Sequence, residues 1–230
     1  LSGPLFNAPV VVTNSDFRFI VTEQLQGVGI EPGAILIEPE PRNTAPAVLT
    51  AALYVASNDP EAVLLIAPSD HVVRDVVAFH AAVLEGLKAV EQGKLVTFGI
   101  KPLHAETAYG YLEMEVTSTG DATALKSFIE KPNIAHAREM VDAGSFLWNS
   151  GIFLFRAGDI IAAFNEYAPS VLGPVRAALG ASTVDLGFCR LEAQAWSHVE
   201  DISIDYAVME RASNLSVVAF DGGWSDLGGW

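Results

Sequence analysis

Apolar and polar positions follow two patterns along this chain, and each pattern predicts a different element. Short β-branched runs predict strands at 9–13, 34–38, 62–67, 95–100, 111–116, 124–130, 152–155 and 215–220. Longer stretches with helical spacing predict helices at 16–26, 44–56, 76–92, 134–143 and 204–212, with further helical stretches up to about 179. Their alternation is typical of βαβ units on a mostly parallel sheet. We expect one α/β domain over residues 1–230.

Two of these predictions are specific enough to be checked. Residues 62–67 are apolar on both faces, as is typical of a central parallel strand. Asn14 is placed to cap the first helix.

Composition narrows the class of protein. Half of the 230 residues are apolar, no uninterrupted apolar stretch is long enough to cross a bilayer, and the single cysteine, Cys189, is compatible with a reducing compartment. We therefore expect a cytoplasmic protein with no membrane partner. The net charge of −15 argues against a nucleic-acid partner, which would need clustered Lys and Arg. It leaves open a small phosphorylated substrate, provided that a divalent cation bridges carboxylates to phosphates.

Two polar segments directly follow predicted strands, where open α/β sheets bind their ligands. Asp70, in the segment Pro68–His71, is a carboxylate suited to Mg²⁺, and the alternative is that it caps the next helix. Arg42 and Asn43 are suited to hydrogen bonds with a base or a phosphate. The alternative for this pair is a well-capped helix with Arg42 in solvent.

Three later segments also carry polar groups. Glu130 and Lys131 suit a phosphorylated sugar, since the carboxylate accepts from hydroxyls and the ammonium binds phosphate. A surface ion pair is the alternative. Asn149 can donate to and accept from sugar hydroxyls, or stand in an ordinary turn. Asp226, in the glycine-rich segment 222–230, is a second candidate metal ligand, with a plain loop as the alternative.

The order of the segments is more informative than any one of them. The series RNTAPA, PSDH, FGI, YGYLE, FIEKP, WNSGIFLF, SIDYAVME and GWSDLGGW runs from residue 42 to residue 230. Over residues 9–230 the chain resembles mannose-1-phosphate guanylyltransferases, especially the bacterial type that occurs alone or fused to a mannose-6-phosphate isomerase domain. The resemblance implies a Rossmann-like mixed, mostly parallel sheet with helices on both faces. It also implies transfer of GMP from GTP to mannose 1-phosphate, which gives GDP-mannose and pyrophosphate.

The same resemblance implies roles for individual residues. Asp70 and Asp226 would hold Mg²⁺, and Lys131 would complete the catalytic set by binding the attacking phosphate. The sugar phosphate would lie against Glu130, Lys131, Asn149, Tyr109 and Gly110. Asp205 and Tyr206 match a motif with a partly structural role, and His71 is expected to be structural or to contact the base.

One departure from the family limits this interpretation. The family opens with a strand and a glycine-rich loop that carries an arginine and wraps the triphosphate, and this sequence has only Leu1-Ser2-Gly3 in its place. We expect missing segments there, forming a loop that orders when GTP binds. A related transferase with another sugar 1-phosphate or nucleoside triphosphate, or a non-catalytic sensing subunit, remains an alternative. The presence of a domain after Trp230 and the oligomeric state, with a homodimer among the alternatives, stay open.

Overall fold

The computed structural model describes residues 5–115 and 122–226, which form two compact units. The first unit comprises Leu1–Asp59 and Ile161–Ala207, and the second comprises Pro60–Ile160 and Val208–Trp230. Leu1-Ser2-Gly3, the end of the strand predicted at 111–116, and the last four residues of the glycine-rich segment lie outside the described residues. The prediction of a single domain over 1–230 stays a prediction.

The described residues form twelve strands and seven α-helices. The strands are β1 (Val10–Asn14), β2 (Ala34–Glu38), β3 (Val63–Ile66), β4 (His71–Val73), β5 (Leu95–Ile100), β6 (Tyr111–Met114), β7 (Thr123–Ile129), β8 (Phe146–Arg156), β9 (Thr183–Asp185), β10 (Phe188–Arg190), β11 (Leu215–Ala219) and β12 (Trp224–Asp226). The helices are α1 (Arg18–Gly27), α2 (Thr44–Ala56), α3 (Val76–Val90), α4 (Ile134–Ala143), α5 (Ala157–Tyr167), α6 (Pro169–Gly180) and α7 (Ala193–Trp196).

The first unit is built on a four-stranded sheet in the order β1-β2-β10-β9. β1, β2 and β10 are parallel, so their carboxyl ends lie at one edge of the sheet, and β9 is antiparallel to β10. The β-branched and aliphatic side chains of β2 supply part of its core, with Leu36 fully buried and Ile37 nearly so. Helices α2 and α6 pack against each other in this unit.

The second unit contains a six-stranded sheet in the order β3-β8-β5-β11-β7-β6. Strand β6 also pairs with β8, so five of the strands form a closed ring of pairings. Fully buried aromatic side chains, among them Phe98, Phe155 and Tyr111, fill its core. A separate two-stranded ribbon, in which β12 pairs antiparallel with β4, positions the residues discussed below.

The mixed α/β class is confirmed, but the strand directions differ from the expected pattern. Among the described pairs, β1–β2, β2–β10 and β5–β11 are parallel and the others are antiparallel. The prediction that residues 62–67 form a central parallel strand is wrong, because β3 ends the sheet order and pairs antiparallel with β8. Apolar periodicity reports which faces a strand covers, and it carries no information about strand direction.

Most helix predictions hold, with two corrections. Helix α1 begins at Arg18, and Asn14 instead closes the preceding turn, where its side-chain oxygen accepts hydrogen bonds from the backbone of Asp16 and Phe17. The helix predicted at 204–212 is a single π-helical turn, Asp205–Met209. Within residues 5–115 and 122–226, no helix has the length and apolar character needed to cross a membrane.

Candidate active site

The β4–β12 ribbon brings the two predicted metal ligands to the same place. Asp226 lies opposite His71 in the ribbon, and Asp70 directly precedes His71 in the chain. The indole nitrogen of Trp224 donates to Nδ1 of His71 at 3.2 Å, so this ring nitrogen is an unprotonated acceptor. Burial lowers the pKa of His71, while the carboxylates of Asp70 and Asp226 act in the opposite direction. One neutral imidazole is thus held beside two carboxylates.

Asp70 does not cap the next helix, so this alternative is wrong. Helix α3 begins at Val76, and the carboxylate of Asp75 accepts a hydrogen bond from the backbone nitrogen of Ala78 at 2.9 Å. Strand β4 separates Asp70 from that helix start. The plain-loop alternative for the glycine-rich segment is also wrong for residues 224–226, because they form strand β12.

The carboxylate pair fits a magnesium ion that is bound together with a substrate. Magnesium prefers oxygen ligands and commonly uses one or two carboxylates, with phosphate oxygens and water completing its shell. Among the described residues no group of three or more His, Cys, Asp or Glu side chains is arranged to hold a metal. Asp70 and Asp226 by themselves would leave most of the coordination shell to phosphate oxygens and water.

Tyr109 connects this ribbon to strand β8. Its ring makes edge-on contacts with Trp224 of the ribbon, at 5.5 Å between ring centres, and with Trp148 of β8, at 5.3 Å. Burial, together with the negative charges of Asp226 and Glu106, raises the pKa of Tyr109. The phenol therefore stays protonated at neutral pH and can donate a hydrogen bond.

Gly110, Glu130 and Asn149 meet in the second unit. The backbone nitrogen of Asn149 donates to the carbonyl oxygen of Gly110 at 2.8 Å. A Cβ atom on Gly110 would lie 2.5 Å from Oε2 of Glu130 and 3.4 Å from Cβ of Asn149. Only glycine leaves room for the carboxylate at this point, so the three residues form one packed group.

Asn149 belongs to a strand, so the alternative of an ordinary turn at this motif is wrong. Residues 148–151 lie inside β8, where Gly151 has a positive φ of 69°. The side-chain oxygen of Asn149 accepts from Oγ1 of Thr97 at 2.9 Å and from the backbone of Gly151 at 3.2 Å. A Cβ atom on Gly151 would be 3.7 Å from Cε1 of His71. The motif around Asn149 therefore packs beside the segment that contains Asp70.

Lys131 and Glu130 form an ion pair whose two side chains differ strongly in exposure. The side chain of Glu130 is 8% exposed and that of Lys131 is 58% exposed, with 3.8 Å between Nζ and Oε1. Lys131 also has a positive φ of 45°, which is uncommon for a residue other than glycine. Because the carboxylate is buried, the pair is not an ordinary surface ion pair.

Sequence reasoning missed the residue that supports this pair. Oε1 of Glu210 accepts a hydrogen bond from the backbone nitrogen of Glu130 at 2.9 Å. Glu210 ends the SIDYAVME motif, in which only Asp205 and Tyr206 had been singled out. The SIDYAVME motif was the feature of the sequence that could have pointed to Glu210.

Arg42 and Asn43 belong to the first unit, whereas the group just described belongs to the second. Asn43 adopts a positive φ of 66°, and its side chain accepts from the backbone nitrogen of Thr44 at 2.9 Å at the start of α2. The capped-helix alternative is therefore confirmed for Asn43. Arg42 pairs with Glu40 and donates to the carbonyl oxygen of Ser197, so it is not simply in solvent. The role of both residues in substrate binding stays a prediction.

Glu38 is a second residue that sequence reasoning missed. It ends β2, it is 8% exposed, and its Oε1 atom is buried with no hydrogen-bond partner among the described residues. Burial raises the pKa of Glu38 to about 7. The signal was present in the sequence, since a carboxylate ends an otherwise apolar strand immediately before Pro39.

Comparison with known proteins assigns this arrangement to a class. The chain belongs to the nucleotidyl transferase family, whose sequence model matches residues 1–230. It is 47% identical to the xanthan biosynthesis protein XanB of Xanthomonas campestris, over 97% of this chain and 48% of that protein. It is 45% identical to a mannose-1-phosphate guanylyltransferase of Sinorhizobium fredii, over 98% of this chain and 44% of that protein. The chain thus spans about half the length of the curated relatives it matches.

Solved structures share the fold. A chain described as mannose-6-phosphate isomerase from Helicobacter pylori has a TM-score of 0.88 and 30% identity, over 96% of this chain and 87% of that chain. A chain described as mannose-1-phosphate geranyltransferase from Thermus thermophilus has a TM-score of 0.81 and 30% identity, over 96% of this chain and 61% of that chain. These comparisons confirm the nucleotide-diphospho-sugar transferase fold.

Proposed function

We propose that this chain transfers GMP from GTP to mannose 1-phosphate, giving GDP-mannose and pyrophosphate. The observation that carries the proposal is that one compact unit holds both the carboxylate pair Asp70 and Asp226 and the Glu130–Lys131 group. Tyr109 and Gly151 connect the two groups by direct packing. Relatives named mannose-1-phosphate guanylyltransferase, at 40–45% identity, support the choice of substrates.

On this proposal the chain's residues act by positioning and by neutralising charge. The phosphate of mannose 1-phosphate is already ionised at neutral pH, so it can attack the α-phosphorus of GTP in line without a general base. Lys131 binds that attacking phosphate, and the buried carboxylate of Glu130 accepts hydrogen bonds from sugar hydroxyls. Holding both reactants in this geometry replaces a collision between two free molecules with a reaction inside one complex.

The phosphate charges call for a counterion beyond the lysine. Asp70 and Asp226 would hold Mg²⁺, which supplies neutralisation of the negative charge on the phosphates when it is bound. His71 is not needed as a general base, and its Nδ1 is already occupied as the acceptor of the Trp224 indole hydrogen bond.

The test is turnover by the full-length protein with GTP, mannose 1-phosphate and Mg²⁺, followed as pyrophosphate release and as GDP-mannose by mass spectrometry. ATP, UTP and glucose 1-phosphate serve as competing substrates. Faster turnover of another pair would replace the proposed substrates. Binding without turnover of any pair would favour a sensing subunit and overturn the proposal.

A further inference from the structure

We propose that Thr97 is a positioning residue that fixes the side-chain amide of Asn149, so that this amide meets a ligand only as a hydrogen-bond donor. The inference rests on the proposed function and specifies the chemistry of one contact with the sugar phosphate. All the residues that carry it belong to the second unit, where strands β5 and β8 pair.

The pairing of β5 with β8 is irregular next to Asn149. Thr97 pairs with Phe153 and Gly99 pairs with Asn149, so the step from 97 to 99 in β5 spans the longer step from 153 to 149 in β8. The extra residues form a bulge in β8, where Gly151 has a positive φ of 69°. Bulges are common beside active sites because they turn a side chain out of the regular pleat. This bulge therefore sets the direction in which the Asn149 side chain leaves the strand.

The hydroxyl of Thr97 lies in this bulge. Thr97 is the polar residue of the otherwise apolar strand β5, and it is 1% exposed. Its Oγ1 atom is 2.9 Å from Oδ1 of Asn149 and 3.3 Å from the carbonyl oxygen of Ile152. Burying a hydroxyl costs free energy unless it is hydrogen-bonded. The hydroxyl is therefore retained at this position together with the acceptors of the bulge.

The backbone of Gly151 determines which atom of the Asn149 amide faces the bulge. The backbone nitrogen of Gly151 is 3.2 Å from Oδ1, and a backbone N–H can only donate. A rotated amide would place its NH₂ group against this donor. Oδ1 is therefore the acceptor at this point. The hydroxyl of Thr97 has a single hydrogen, and it donates this hydrogen to Oδ1, the nearer of its two oxygen neighbours.

The fixed amide restricts what Asn149 can offer to a ligand. An amide oxygen has two lone pairs, and Oδ1 uses both for Thr97 and Gly151. It cannot also accept from a sugar hydroxyl, so any hydrogen bond from this amide to a ligand is donated by Nδ2. The matching ligand group is an oxygen that accepts, either of a sugar hydroxyl or of the phosphate. This result narrows the sequence-based expectation that Asn149 both donates and accepts.

The experiment removes the hydroxyl of Thr97 and measures which ligand is affected. Thr97→Val keeps the branched shape and removes one of the two donors that hold Oδ1. Calorimetric titration of the full-length protein should show mannose 1-phosphate affinity lowered about three- to tenfold, the range of one net hydrogen bond, with GTP affinity changed less than about twofold. Thr97→Ser retains the hydroxyl and should restore the affinity to within about twofold of wild type.

Analogues of the sugar phosphate identify the accepting oxygen. For the 2-, 3-, 4- and 6-deoxy forms of mannose 1-phosphate, the ratio of wild-type to Thr97→Val affinity should fall to about one for the form that lacks the accepting hydroxyl. If the ratio keeps its full value for all these forms and falls to about one for free mannose, the acceptor is the phosphate. Either result supports the donor role. A ratio that is the same for every one of these ligands would show that Thr97 acts only on the fold, and it would overturn the inference.

The controls separate this inference from the proposed function. Thr50→Val is the matched substitution, since Thr50 is fully buried in the first unit and its hydroxyl donates to the carbonyl oxygen of Pro46 at 2.7 Å. It should leave both affinities unchanged. If the wild type turns over GTP and mannose 1-phosphate but Thr97→Val binds both as the wild type does, the inference is overturned and the function stands.

If turnover selects another sugar 1-phosphate, the proposed function is overturned, and the Thr97 variants decide the inference with that ligand. Should Thr97→Val fail to fold, Thr97→Ala must show the same loss of affinity relative to Thr97→Ser. Equal affinities of the alanine and serine variants would overturn the inference.

Discussion

Glu38 and Glu130 are two buried carboxylates at strand ends, and they differ in the groups around them. Glu130 follows β7, lies beside the ammonium of Lys131, and has its backbone held by Glu210. Glu38 ends β2 and has no partner for Oε1 among the described residues. The second unit thus holds a buried carboxylate together with its counter-charge, and the first unit holds one for which the described residues provide no counter-charge.

This difference corresponds to two kinds of ligand. A paired carboxylate and ammonium suit a molecule that carries hydroxyl groups and a phosphate, because each ligand group finds its opposite. A buried carboxylate without a counter-charge suits an uncharged ligand group that carries two hydrogen-bond donors. A charged ligand group would itself have to lose its hydration to bind there. The contrast therefore makes the Glu130–Lys131 pair the candidate for the sugar phosphate, and it sets Glu38 apart from that pair.

The largest expected effect comes from Asp226 in the second unit. Asp226→Asn should lower kcat at least about 100-fold, because losing a metal carboxylate removes several kcal/mol of charge stabilisation in the transition state. Pyrophosphate release in saturating Mg²⁺ measures it. Asp221→Asn, an exposed aspartate five residues earlier, is the control and should keep its activity. A variant at Asp226 that retains more than about a tenth of the wild-type rate would rule out the metal assignment.

Lys131 provides the next largest effect and tests the assignment of the sugar phosphate. Lys131→Met keeps much of the stem and removes the charge. We expect mannose 1-phosphate affinity to fall about ten- to 150-fold, since a charge-assisted hydrogen bond contributes about 1.5–3 kcal/mol. GTP affinity should change less than about threefold. Lys126→Met, also exposed and also paired with a glutamate, is the matched control. Equal losses for both ligands would place Lys131 at the triphosphate.

The contrast also shows what the sequence could predict. The pair Glu130–Lys131 was predictable because both partners are adjacent in the chain, and strands such as β2 and β5 followed from runs of apolar residues. The ribbon of β4 and β12 was not predicted, because three-residue strands are too short for a periodic signal. The isolation of Glu38 was equally invisible, because the lack of a partner is a property of the folded state.

The lack of a counter-charge at Glu38 should be measurable as a pH dependence of the free energy of unfolding. Its folded-state pKa, about 7, lies above the ordinary value of 4.5, so its ionisation destabilises the fold increasingly as pH rises from about 4.5 to 7. Glu38→Gln removes this ionisation. Its free energy of unfolding relative to wild type should be about 2 kcal/mol more favourable at pH 8 than at pH 5. Urea unfolding at both pH values measures the difference, with Glu31→Gln as control. A difference that does not change with pH would show that Glu38 has a counter-charge.

The smallest effect is expected at Glu210, which acts on the sugar site only through the backbone of Glu130. Glu210→Ala removes the acceptor for that backbone nitrogen, and water can replace it because Glu210 is exposed. We therefore expect mannose 1-phosphate affinity to fall only about three- to tenfold, in line with a net hydrogen-bond contribution of about 0.5–1.5 kcal/mol. Glu210→Gln retains a carbonyl oxygen that can accept the same hydrogen bond, so it should restore affinity to within about twofold of wild type. Titration of mannose 1-phosphate and GTP into both variants separates positioning from charge. If glutamine fails to rescue, the negative charge of Glu210 matters more than its hydrogen bond, and the Glu130–Lys131 pair is part of a larger charged group.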